Sequence, residues 1–344
     1  MAQLPTNVAE SPLSLLLAAA GLVRTHQGKV RDTWALPGFS GYQLVVATDR
    51  ISAFDFVLNL LVPQKGPVLV ALTVFWLTTV LRQFANHLVA YGAAVDAYLP
   101  AVLCRNFELQ CRALVVRRLE MLPIECIPRG YLAGSALAAY RTNNGVVCGI
   151  QFPEGLHDGS KLPQPVFTVT TKAVEGHDEH LDVQSVVAKY GQQVSDLTVA
   201  LYTAGADYAL TRDIIIADTK FEYGEDYSNH DHGTLVLGDE VLTPDSSRFW
   251  ALEDYKSAQQ KQKSPSGWDK QPVRDAMSQV ETPFGVKANK LDPENPEHAA
   301  WVHSELSLPD EVVAATSPRY TECFWMLVGK DLQTFQAEDM GVSA

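Results

Sequence analysis

Apolar residues at Val183, Val186, Val187, Tyr190, Val194, Leu197 and Leu201 recur at three- and four-residue spacing. That period predicts a helix across residues 182–212 with one buried face, interrupted near Gly191. Residues 68–84 are predominantly apolar and predict a core helix, set off from the preceding apolar run by Pro63-Gln-Lys-Gly-Pro67. Residues 11–23 predict a short amphipathic helix opened by Ser11-Pro12. Residues 43–48 and 114–118 read as strands. Asp269, with Pro272 in the first turn, predicts a capped helix running to about Val280. The polar stretch 257–267 predicts an exposed excursion, residues 282–300 a loop, and the last dozen residues a frayed end. Short apolar runs separated by turns up to residue 118 suggest a small antiparallel-sheet lobe, 1–118. A larger lobe, 119–344, follows. There is no internal repeat.

The pattern changes character after residue 212. Three consecutive isoleucines within 213–217 predict a buried strand, followed by Asp218-Thr-Lys-Phe-Glu-Tyr-Gly224, a polar stretch, and a second apolar run at 234–237. The simplest arrangement is a hairpin. Two-residue alternation then puts Lys220 and Glu222 on one face, with Asp239 leaving the partner strand close to Glu222. Residues 237–250, Leu-Gly-Asp-Glu-Val-Leu-Thr-Pro-Asp-Ser-Ser-Arg-Phe-Trp, add three carboxylates, two adjacent hydroxyls and Arg248. Two carboxylates beside a lysine suit a Mg²⁺-nucleotide, because Mg²⁺ takes one or two protein oxygens and leaves the rest to water and phosphate. Either half alone would read as a solvated hairpin.

Composition narrows the function. With 344 residues and 47% apolar content, the chain can bury a large core. A net charge of −13 argues against a general nucleic-acid binder, which needs a basic face. Cations for anionic small molecules must therefore be local: Lys29, Arg31, Arg50, Lys65, Arg129, Lys172, Lys220, Arg248, Lys270 and Arg274 all sit in motif-like segments. Five cysteines without a Cys-x-x-Cys pair predict a reduced, cytoplasmic protein. Residues 14–23 lack the charged leader and cleavage site of a signal peptide. The run 54–81 is broken well short of the roughly 20 apolar residues a membrane span needs. His177-Asp-Glu-His180 and His230-Asp-His232 lack the helical spacing of a zinc site, so zinc is not expected. Nothing marks an interface helix, and a monomer is expected.

Three further segments carry chemistry. Gly28-Lys-Val-Arg-Asp32 places two cations after a glycine that permits close approach to phosphate, though a plain turn reads equally well. Ala47-Thr-Asp-Arg-Ile-Ser-Ala-Phe-Asp55 packs four polar groups into seven positions, or holds a loop by an Asp-Arg pair. In residues 125–137, Arg129 and the helix opening at Gly134-Ser135 can converge a guanidinium, an amide and a hydroxyl on one phosphate or carboxylate.

Taken in order, these segments and Asp269-Lys-Gln-Pro-Val-Arg-Asp275 resemble the phosphoribosylaminoimidazole-succinocarboxamide synthase (SAICAR synthetase) family over about residues 20–290. The chain length and the Asp-Ser-Ser-Arg-Phe-Trp version are more similar to the fungal type than to the short bacterial one. The resemblance implies a two-lobed α+β fold related to ATP-grasp and kinase-like architectures. It has an antiparallel sheet in the small lobe, a mixed larger lobe and ATP in the cleft. It also implies an ATP-dependent ligase acting on carboxyaminoimidazole ribonucleotide and L-aspartate, through an acyl phosphate. Phosphoryl transfer asks a protein mainly for positioning and charge neutralisation.

Matched position by position, the resemblance implies Lys29 and Arg31 along the ATP phosphates, with Glu222 and Asp239 holding Mg²⁺. Lys220 would sit by the transferred phosphate or the ribonucleotide carboxylate, and Asp245 would orient the imidazole. Arg129, Ser135, Arg248 and Arg274 would bind the ribonucleotide phosphate. Lys172, Asp178, Asp49 and Asp55 would form the L-aspartate pocket. The chain departs from the family pattern at Gln64, at Pro272 and at Pro128, which stiffens the loop expected to present Arg129. A small-molecule kinase and a catalytically inactive nucleotide-binding regulator would use the same nucleotide site.

Overall fold

Ser11 accepts a hydrogen bond from the Ser14 amide and opens the helix Pro12–Ala19, as its Ser-Pro start predicts. The computed structural model describes residues 11–172, 179–226, 234–268 and 270–343. After the first helix comes an antiparallel sheet of five strands, in the spatial order Arg24–Gln27, Arg31–Ala35, Tyr42–Ala47, Ala113–Arg117, Leu88–Tyr91. The alternating burial of Arg31–Ala35 follows the pleat.

The core helix starts at Lys65, three residues earlier than the apolar pattern predicts, runs to Phe75 and continues into a π-helical turn at Trp76–Val80. Pro67 causes no break because it lies in the first turn, where its missing N–H would have no intrahelical partner. Gln64, just before the helix, has a left-handed backbone with φ 67°. In place of a side-chain cap, the carboxylate of Asp49 accepts from the Gly66 amide at 2.9 Å.

A second antiparallel sheet has the order Lys161–Thr171, Ile124–Tyr131, Ile214–Thr219, Ser247–Ala251. Its partner helices, Val183–Tyr190 and Gln193–Leu210, break at Gly191, whose φ of 84° favours glycine. The expected hairpin is present, with Glu222–Glu225 paired to Leu235–Gly238. Pro128 lies inside the strand Ile124–Tyr131 opposite Phe167, so a strand presents Arg129, not the expected loop.

Hydrogen bonds tie the hairpin to the small sheet. The Leu237 amide donates to the Ala85 carbonyl at 3.0 Å, and the His87 amide donates to the Leu237 carbonyl at 3.0 Å. The chain then enters the strand Leu88–Tyr91. The largest apolar cluster likewise spans both halves, joining Ala47, Val116, Ile124 and Phe249 to Phe324 and Val342.

The C-terminal expectations need correction. The stretch predicted as a loop ends in a helix, Pro296–Ser304, because Asn295 caps it and Pro296 occupies the first helical position. Helices Asp310–Val328 and Leu332–Glu338 follow. The final residues are not frayed: Phe335, Met340 and Val342 are buried, and the Met340 carbonyl accepts from the Ala93 amide at 3.0 Å. The excursion at 257–267 begins inside another helix, Leu252–Gln259. The helix predicted from residue 269 is observed at Gln271–Met277, and Asp269 itself lies outside the described residues. All five cysteines are free. Among the described residues, no helix is long and apolar enough to cross a membrane.

Candidate functional site

Register places the two carboxylates of the hairpin together. Glu222 pairs with Gly238, so Asp239 is the next residue along the partner strand. It leaves that strand with a left-handed φ of 59°. Glu222 is 3% exposed and is held by two cations: Lys172 contacts one carboxylate oxygen and Lys220 lies 3.3 Å from the other. Lys220 also donates to Glu125 Oε1 at 2.6 Å. Arg31 reaches across from the small sheet, donating to Asp239 Oδ2 at 2.7 Å and to Glu240 Oε1 at 3.4 Å.

Burial works to raise the Asp239 pKa, but Arg31, Lys220 and Lys172 outweigh it and hold the carboxyl well below its usual range. For Lys220, burial opposes the charge while Glu222, Glu125 and Asp239 restore it and raise its pKa. Acids and bases therefore alternate through the cluster.

Behind it lies His87, a residue for which the sequence offers no motif. Its buried ring is kept neutral, with burial the main cause and Arg31 and Arg117 adding to it against Asp239, so that its pKa falls to about 4.

The segment 28–32 forms a tight turn. The Gly28 amide donates to the Arg31 carbonyl at 2.8 Å, and a Cβ at Gly28 would sit 2.8 Å from that oxygen. The buried Arg50 donates to the Gly28 carbonyl at 3.1 Å and to Asp32 Oδ1 at 2.5 Å. Lys29 stands at the rim, paired with Asp55 at 2.8 Å. Arg50 and Asp49 each take a partner outside the segment, Asp32 and Arg112. Asp49 grips Arg112 at 2.8 and 3.0 Å and caps Gly66, so both of its oxygens are engaged in structure.

Arg129, 1% exposed, donates to Asp218 Oδ2 at 2.7 Å, Thr168 Oγ1 at 2.8 Å and Ser135 Oγ at 3.3 Å. Arg248 donates to the same Asp218 oxygen at 2.5 Å. Gly134, with φ 57°, opens the helix Gly134–Thr142, and a Cβ there would meet Arg248 Nη2 at 2.2 Å. Two guanidiniums, a hydroxyl and a helix N-terminus thus converge as the sequence suggests, and Asp218 orients both arginines. Such an arrangement suits a phosphate.

Asp245 is buried, with Lys65 Nζ 2.6 Å from Oδ2 and Lys270 Nζ 3.8 Å from Oδ1. The Tyr320 hydroxyl donates to Oδ1 at 2.7 Å. Arg274 is on the adjoining helix Gln271–Met277, close enough to oppose the charge on Lys270. Burial pushes the Asp245 pKa up, but Lys270, Lys65 and Tyr320 hold it well below the ordinary 3.8. Because the folded value is depressed, the resulting stability is fully present above about pH 4 and is lost as pH falls below it. Asp245→Asn removes that pH-dependent contribution. Urea unfolding at pH 6 and pH 3 is expected to show a smaller acid loss in the variant, and an identical loss would contradict the ionised assignment.

Glu125, His87 and Tyr320 carry no predicted role, and Lys65 only that of a local cation, although Glu125 lies four positions before Arg129 on one strand. Asp178 and His230-Asp-His232 lie outside the described residues. His180 Nδ1 lies 3.1 Å from Cys148 Sγ. Among the described residues, no group of three or more His, Cys, Asp or Glu is placed to hold a metal ion.

Comparison with known proteins gives a consistent result. A family model described as SAICAR synthetase matches residues 24–291. A phosphoribosylaminoimidazole-succinocarboxamide synthase of Saccharopolyspora erythraea is 42% identical over 322 residues, 92% of this chain and 97% of that protein. The protein of the same name from Schizosaccharomyces pombe is 39% identical over 307 residues, 88% of this chain and 93% of its own. Bacterial relatives of comparable length therefore match as well as this fungal one, and the likeness is not particular to fungi. A solved structure of the SAICAR synthase from Saccharomyces cerevisiae, complexed with SAICAR, superposes with a TM-score of 0.75 at 34% identity. It covers 94% of this chain and 99% of that one.

Proposed function

This chain belongs to the SAICAR synthetase family, and from that premise we infer that it is the ATP-dependent ligase of de novo purine biosynthesis. It joins L-aspartate to 5-amino-1-(5-phosphoribosyl)imidazole-4-carboxylate, giving SAICAR, ADP and phosphate. The observation that carries the reading is the pair of hairpin carboxylates, Glu222 and Asp239, each faced by a cation, alongside a separate two-arginine pocket.

The chemistry needs both. A carboxylate is a poor electrophile, so ATP must first convert it to an acyl phosphate that the aspartate amine attacks with loss of phosphate. Glu222 and Asp239 fit Mg²⁺ as a donor set, being neighbouring carboxylates faced by cations, with Asp239 held well below its usual pKa range. Bound there, Mg²⁺ would neutralise charge on the phosphate oxygens. Lys29 and Arg31 line the ATP phosphates, and Lys220 faces the transferred group. Arg129, Arg248, Ser135 and the amides at Gly134 seat the ribonucleotide phosphate, with Arg274 assisting, and Asp245 orients the imidazole. Lys172 and the rim at Asp55 receive L-aspartate, with Asp178 on the stretch of sequence that follows Lys172. Asp49 shapes that rim through Arg112 and the Gly66 amide. Five free thiols accord with a reducing cytoplasm.

ADP release, measured with ribonucleotide in the presence and absence of L-aspartate while product absorbance is followed, tests this assignment. Aspartate-dependent ADP matched by succinocarboxamide product is expected. ADP and a stable phosphorylated ribonucleotide without aspartate would identify a kinase. ATP binding without turnover would identify a regulator.

A further inference from the structure

The family match ends at residue 291, yet the chain beyond it reaches the proposed site. On the helix Asp310–Val328, Ser317, Arg319 and Tyr320 each contact the elements around Asp245. The Ser317 hydroxyl donates to the Pro63 carbonyl at 2.7 Å, immediately before the helix that carries Lys65. Arg319 donates to the Gly267 carbonyl, on the segment leading to Lys270. Tyr320 donates to Asp245 itself at 2.7 Å, and its ring centroid lies 5.7 Å from Lys65 Nζ. Tyr320 and Lys65 are both 0% exposed.

The two oxygens of Asp245 are held differently. Oδ2 faces Lys65 at 2.6 Å, while Oδ1 has the tyrosine hydroxyl at 2.7 Å and Lys270 at 3.8 Å. An ammonium is a compact charge with rotatable donors and fixes direction poorly, whereas a phenol on a packed ring donates along one line. Removing the hydroxyl leaves the ion pairs in place but frees the carboxylate to turn towards them.

We propose that Tyr320 is a positioning residue for Asp245, so that the segment beyond residue 291 completes the ribonucleotide site as well as the core. The proposal rests on the ligase reading, in which Asp245 orients the imidazole. A misplacement of about 1 Å in such a group can cost on the order of 100-fold in rate.

The test uses the full-length protein. Tyr320→Phe keeps the ring, its packing and its contact with Lys65. Tyr208→Phe serves as the control, because its hydroxyl donates to the Leu327 carbonyl on the same helix at 2.9 Å, away from Asp245. Tyr320→Phe is expected to lower kcat/KM for the ribonucleotide by about tenfold or more, to leave the KM for ATP unchanged, and to match Tyr208→Phe in Tm. It is also expected to have no further effect in an Asp245→Asn background, since coupled residues are non-additive. Wild-type kinetics in Tyr320→Phe, or an equal loss for all substrates that adds fully to Asp245→Asn, would overturn the positioning role alone. A wild-type protein that forms no succinocarboxamide would overturn the ligase reading and this role together.

Discussion

Asp239→Asn is expected to lower kcat by about 10³-fold, the scale associated with losing a group that stabilises developing charge on the reacting atoms. The substitution conserves volume and removes one negative charge. Its effect on the fold is expected to be small, because Asp239 and its partner Arg31 are both partly exposed, at 28% and 19%. Arg31 also retains Glu240. Loss of turnover with an unchanged circular dichroism spectrum and Tm is the predicted outcome. Near-normal kcat would show that this carboxylate does not serve the phosphoryl-transfer step.

Arg129→Ala should affect both stability and substrate affinity. The guanidinium is buried against Asp218, Thr168 and Ser135, and its removal leaves a buried carboxylate short of one partner. Breaking a buried pair typically costs about 3–5 kcal/mol. The lower end applies here because Arg248 still donates to Asp218. A lower urea midpoint is therefore expected, together with a much higher KM for the ribonucleotide and little change for ATP. Arg129→Lys should recover part of the stability but not the affinity, since an ammonium lacks the fork that meets Asp218, Thr168 and Ser135 together. If ATP binding weakened instead, the two anion pockets would have been exchanged.

What the sequence made legible is what local patterning encodes. The hairpin follows from the isoleucine run and the second apolar stretch, and with it the proximity of Glu222 and Asp239. The break at Gly191 follows from helical periodicity. Pairings between distant segments left no local trace. Asp32–Arg50, Arg31–Asp239 and Tyr320–Asp245 exist only because strands and helices far apart in the chain are brought together. Asp49 and Arg50, adjacent in sequence, turn instead to separate partners, Arg112 and Asp32, at the bend between the strands Tyr42–Ala47 and Arg50–Ala53. Within the stretch 282–300 read as loop, Pro296 instead starts a helix. Lys65 was visible as a cation in a motif, but its partner Asp245 was not, because the pair bridges the core helix and the loop after the hairpin.

The most direct measurement is anomalous diffraction at the manganese edge from crystals grown with Mn²⁺ and a non-hydrolysable ATP analogue. A peak between the Glu222 and Asp239 carboxylates and against the nucleotide phosphates is the predicted result. Nucleotide bound with the metal elsewhere, and those two carboxylates still held only by Lys172, Lys220 and Arg31, would contradict the account.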